Sequence, residues 1–177
     1  SEHVSKRRLR GKFIKEAVHH AQRAIELDKN RPEGYGTLAI AKGFLARQMI
    51  APGRSIQQQI EDAAEYLYDN HPTYEEGLGH RVLGGLYTQA PPWPAGVGDL
   101  EGAIEILEEN LQEYPQSALS LFLAGEAYMK YGHTAKAEDA FLKVLQAKKE
   151  GEWGLIGASY RAKARNHLAA LRQGDAP

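Results

Sequence analysis

The chain has no cysteine. It therefore forms no disulfide, offers no thiolate to a metal and carries no thiol nucleophile. Charge of one sign is lacking too, with 22 Lys and Arg against 23 Asp and Glu for a formal net charge of -1, so no global field draws it to nucleic acid or an anionic membrane. No apolar run reaches the roughly 20 residues a membrane-spanning helix needs, and no hydrophobic signal stretch opens the sequence. The first residue is Ser1 rather than methionine, the expectation for a processed or shortened chain from which an export signal would already be gone. The seven histidines contain no HExxH or other ligand spacing, and His19 and His20 fall on different faces of a helix, so no metal is expected. No glycine-rich phosphate loop is present either, because Gly84-Gly85 lies inside a helical pattern. Carboxylate pairs such as Glu61-Asp62, Glu75-Glu76 and Glu108-Glu109 read as solvated helix surface or turn caps rather than an acid/base pair. Lys6, Arg7, Arg8, Arg10 and Lys12 make a basic start without interleaved aromatics, which reads as a frayed, solvated end rather than a nucleic-acid arm. With no catalytic constellation left, neither an enzyme nor a cofactor is expected.

What is present is helical periodicity. At 177 residues the chain makes one domain, long enough to bury about two thirds of its unfolded surface. Phe13, Ile14, Ala17, Val18, Ala21, Ala24 and Ile25 fall at i, i+3, i+4 spacing and predict a helix from Lys12 to Leu27, which Pro32 follows. Further helices are expected from about Glu33 to Met49, from Ser55 as cap to His71-Pro72, over Leu78 to Gln89 and over Leu100 to Glu113 capped by Asp99. Ser117 opens the next, Gly132 ends it after Tyr131, Thr134 caps one to about Lys148, and a last runs from about Trp153 to Leu171. No segment alternates with period two, so no sheet is expected.

The helices echo one another. Leu83-Gly84-Gly85-Leu86-Tyr87 and Ala124-Gly125-Glu126-Ala127-Tyr128 each set a glycine three places before a tyrosine, and Ala103-xxx-Leu107 recurs as Ala137-xxx-Phe141 at a separation of 34. These residues resemble the tetratricopeptide repeat family, whose period is 34 and whose pattern is a large residue, Leu-Gly and Tyr on one helix, then Ala-xxx-Phe and Pro on the next. The best copy is Leu121, Ala124-Gly125, Tyr128, Ala137, Phe141, with Lys149 in place of the closing proline. The copy before it reads His80, Leu83-Gly84, Tyr87, Ala103, Leu107, Pro115, and a weaker one reads Tyr35, Leu38-Ala39, Lys42, Ile60, Ala64, Pro72. Leu38 to Leu83 spans 45 residues and Leu83 to Ala124 spans 41, so 18 extra residues must lie in the turn around Ile50 to Arg54, just after Pro72 and in the Ala90 to Val97 loop.

The resemblance implies an all-α, right-handed superhelical array of antiparallel helix pairs, about seven to eight helices in one domain over 1–172. Its parts would be a half repeat at 12–27, a repeat with a long turn at 33–72, a repeat with a Pro-Pro-Trp-Pro insertion at 75–115, the best repeat at 117–149 and a capping helix at 153–172. A disordered tail would follow at 173–177. It also implies a non-catalytic scaffold that binds a peptide or partner protein on its concave side. There it would set Leu119, Phe122, Glu126, Met129 and Lys130 of the best repeat, with Ile40, Phe44, Arg81 and Thr88 from the helices before. Two outcomes stay open for this face: an open apolar groove with a charged rim, or a groove covered by the terminal helix. A second candidate contact is Pro91, Pro92, Trp93 and Pro94, where prolines hold a large ring in place, unless Trp93 packs on its own repeat against Tyr87 or Leu100. The same loop could serve as a self-contact in a homo-oligomer.

The string from Leu83 to Asp99 is also similar to bacterial repeat proteins related to the T component that accompanies TRAP transporters. That likeness implies a periplasmic, transport-associated component, partner of a substrate-binding protein or carrier of a small apolar ligand. Composition says nothing of the compartment.

Overall fold

Periodicity of 3.6 governs the whole fold. The computed structural model describes residues 2–147 and 151–173, with side chains from 9 to 147 and from 157 to 173. Eight α-helices follow one another in it: α1 Glu2–Leu27, α2 Pro32–Ala46, α3 Arg54–Asn70, α4 Leu78–Gln89, α5 Leu100–Glu113, α6 Ala118–Tyr131, α7 Thr134–Gln146 and α8 Gly151–Gln173. Each packs on the next, and α4 also lies along α6, so the even-numbered helices share one side of the stack. This is a tetratricopeptide-like array of helix pairs, as expected. The Lys149 position and residues 174–177 lie outside the described residues, while Gln173, expected in the tail, still belongs to α8.

The repeat motif is a packing rule. Gly84 of α4 faces Leu107 of α5 so closely that no Cβ fits between them, and a methyl on Gly125 of α6 would stand 2.6 Å from a ring carbon of Phe141 on α7. The small residue on one helix thus receives the large one on its partner, and the axes approach closely. Leu107 and Phe141 are buried together with Ala103, Ala137 and Val144 in one continuous core. Gly79 meets the Tyr68 backbone of α3 in the same way, and Gly34 meets Ile25 of α1.

Helix ends follow local chemistry with some departures. Asp99 accepts from Gly102 N–H at 3.0 Å, and Ser117 from Ser120 N–H at 3.5 Å. Gly132 takes the left-handed conformation, φ 92°, that ends α6. Neither Ser55 nor Thr134 caps: α3 begins at Arg54 with Gly53 in the cap place, two positions before Ser55, and His133 holds the place before α7, both without a side-chain cap. The second helix stops at Ala46 rather than Met49, lengthening the turn before α3. α1 is helical from Glu2, so the basic start is not a frayed end. Between α3 and α4 a short 3-10 turn at Tyr74–Glu76 places Glu75, Glu76 and Gly77 at positive φ. Arg81 donates to the Glu75 and Glu76 carbonyls at 2.7 and 3.1 Å and Asn110 donates to the latter, which holds this strained corner shut.

Candidate functional site

The concave positions do not form one surface. Phe122 is 1% exposed, because Tyr160 of α8 meets its ring edge-on at 4.9 Å between centroids and His167 stands at 6.0 Å. Met129 is buried in the same core, so α8 and the core remove both residues from any open groove. His167 also stacks on Phe141 and pairs with Glu126 at 3.4 Å. Glu126 in turn accepts from Gln89 of α4 at 3.5 Å, and Leu119 is half-buried.

Polar members of the set are spent on backbone. Lys130 donates to the Thr88 carbonyl at 2.7 Å, satisfying one of the orphan acceptors at the C-terminal end of α4 and setting a cation against its dipole. Thr88 itself is buried and its hydroxyl bonds back to the Gly84 carbonyl at 2.6 Å. Arg81 is tied to the corner described above. Of the nine positions only Ile40 and Phe44 remain exposed and apolar, at 43% and 52%.

These two residues open onto a groove that sequence reasoning missed. Leu9, Phe13, Ile14 and Ala17 of α1 face Thr37, Ile40, Ala41 and Phe44 of α2 across a cleft of about 630 Å³, with Arg10 on its lining. The i, i+4, i+8 spacing of Leu9, Phe13 and Ala17 was the available signal. It was obscured because residues 6–12 read as a solvated basic end.

The insertion loop presents Trp93 at 74% exposure, so the ring does not pack away on Tyr87 or Leu100. Its backbone is closely tied. Ala95 and Gly96 N–H donate to the Pro92 carbonyl, Gly98 N–H to Pro91 at 2.9 Å and Asp99 N–H to Tyr87 at 3.1 Å. Buried Gln57 of α3 reaches the loop from below, accepting from Val97 N–H at 3.2 Å and donating to the Pro52 carbonyl at 2.8 Å. Gly96 and Gly98 sit against Pro91, where a side chain would collide. The loop is therefore a fixed mount for an exposed indole.

One further contact repeats along the array. Tyr128 of α6 donates to Glu108 of α5 at 2.8 Å, and Tyr87 of α4 faces Glu61 of α3. Burial, then the facing carboxylate, pushes both phenols well above their ordinary range. In both repeats the tyrosine thus faces a carboxylate on the second helix of the repeat before, and Tyr128 is hydrogen-bonded to it. Residues 95–156 match the family model of the tetratricopeptide repeat. This stretch is similar to the tetratricopeptide repeat. The match runs from the end of the insertion loop through α5, α6 and α7 into α8, and its packing partners are those the motif requires. No curated protein sequence matches the chain significantly. Tetratricopeptide repeats generally mediate protein–protein interaction and are typically non-catalytic. Among the described residues no helix is long and apolar enough to cross a membrane.

Proposed function

We propose that the protein is a tetratricopeptide scaffold whose Trp93 loop is an anchor contact for a partner protein. The observation that carries this reading is the 74% exposure of a tryptophan on a loop fixed by its own backbone and by Gln57. A rigid exposed indole offers a large apolar area at little ordering cost, which is the profile of an interface hot spot. The alternative expectation, a carrier for a small apolar ligand under the terminal helix, would have to displace the packed rings of Phe122, Phe141, Tyr160 and His167, so the scaffold is preferred.

The test is affinity capture from the source cell with the native chain and with Trp93→Ala. A partner retained by the native protein and lost by the variant, at unchanged thermal stability, supports the reading. Equal recovery of every partner by both chains sinks it.

A further inference from the structure

We propose that the groove between α1 and α2 is the seat for an acidic amphipathic helix from another protein.

Register within the repeat carries this. Taking Leu38, Leu83 and Ala124 as equivalent, the groove residues Thr37, Ile40 and Phe44 correspond to Leu123, Glu126 and Lys130 of α6. Those three positions are where α6 meets the helix before it on the same side of the stack. Leu123 lies against Gly85, Glu126 accepts from Gln89 and Lys130 donates to Thr88, all of α4. Ala17 of α1 is likewise the equivalent of Ala103 on α5, which is fully buried beneath α4 and α6, whereas Ala17 is only half-buried. α1 therefore stands in the place of a second helix, and no described residue fills the place of the first. The surfaces that α4 covers on α5 and α6 are left open on α1 and α2, with Phe13 at 58% and Phe44 at 52% exposure.

The occupant must match that opening. A helix is required, because its neighbours in the stack are helices packed ridge into groove. Apolar residues must face Phe13, Ile40 and Phe44. Charge selects the rest: residues 1–54 carry twelve Lys and Arg against five Asp and Glu, while residues 55–177 carry ten against eighteen. Arg10 is on the lining itself. A helix with carboxylates beside its apolar stripe is thus attracted, and one flanked by lysines is repelled. The same rule disfavours the chain's own α8, which carries Arg161, Lys163, Arg165 and Arg172 against the single acidic residue Glu152.

The proposal goes beyond the Trp93 reading and is tested separately from it. Two fluorescent 18-residue helical peptides share a Leu/Ala stripe at i, i+3, i+4, i+7 and differ only in carrying Glu or Lys beside it. They are titrated into the 177-residue chain, into Phe13→Asp/Phe44→Asp and into Trp93→Ala, with circular dichroism of each. The acidic peptide is expected to bind the native chain and Trp93→Ala alike, at least tenfold tighter than the lysine peptide, and to lose at least tenfold on Phe13→Asp/Phe44→Asp at unchanged helicity. Equal binding of the two peptides, no binding, or binding indifferent to the double variant overturns it. So does a dimer in sedimentation equilibrium that Phe44→Asp dissociates, or Phe44-dependent binding to vesicles containing phosphatidylglycerol, since either names a different occupant.

Discussion

Gly125 and Phe141 are a matched pair: the ring occupies the space where a glycine β-carbon would otherwise be, 2.6 Å from its Cε1. Gly125→Ala should therefore cost about 1–3 kcal/mol by overpacking. Leucine would not relieve it, since Leu107 leaves no room for a Cβ on Gly84, but Phe141→Ala removes the ring and should relieve the alanine. In urea unfolding the double variant is expected to lose at least about 0.5 kcal/mol less than the two singles together. Simple additivity would contradict the pairing.

Gln57 supports the Trp93 loop from α3. Gln57→Ala strands the Val97 N–H and the Pro52 carbonyl, and the expected loss is about 1–3 kcal/mol. Amide exchange at Val97 should accelerate at least tenfold while Leu107 keeps its protection. Unchanged exchange at Val97 would mean that the loop holds itself up by its backbone bonds alone.

The corner before α4 stores strain at Glu75, φ 50°, and Glu76, φ 53°. Replacing Glu75 by glycine removes the steric penalty of the left-handed region, so Glu75→Gly is expected to stabilise by up to about 1 kcal/mol. Arg81→Met should do the reverse, since two carbonyls lose their donor. Thermal melts of both variants in opposite directions would verify that Arg81 clamps a strained turn.

Burial lowers the pKa of His80 below the usual imidazole value, and Glu109, 3.8 Å away, only partly opposes this. As pH falls below about 6.5 the unfolded chain takes up this proton first, so stability declines until the folded imidazole also protonates. Above about pH 7 the group contributes nothing to the slope. His80→Gln is expected to flatten the fall in melting temperature between pH 7 and pH 5 relative to the native chain. An identical fall in both would assign the slope to other groups.

Much of the fold was legible because close packing writes itself into residue size. Gly84, Gly125, Leu107 and Phe141 are diagnostic since nothing else fits, and α4 and α5 begin and end where proline, glycine and Asp99 put them. Caps were less legible: Ser55 and Thr134 have suitable side chains, but the cap places lie two positions before the first and one before the second. The concave surface was the hardest to read, because equivalent positions in a repeat share geometry and not fate. Phe122 is covered by α8, Thr88 bonds its own helix, Lys130 serves a carbonyl of α4, and only Ile40 and Phe44 stay open. Which of these happens depends on the neighbouring helix, and a sequence motif describes one repeat at a time. Trp93 was legible as an anchor candidate, but the support its loop receives comes from Gln57, 36 residues away from Trp93 in the chain.

The packing of Tyr160 and His167 covers Phe122 and Phe141 with aromatic and charged groups, while the groove between α1 and α2 is apolar and is left open by the described residues. Both surfaces are flanked by basic residues, so they are not complementary and do not join copy to copy as a head complementary to its own tail would. A helix seated between α1 and α2 should therefore give a complex of fixed stoichiometry and not a filament.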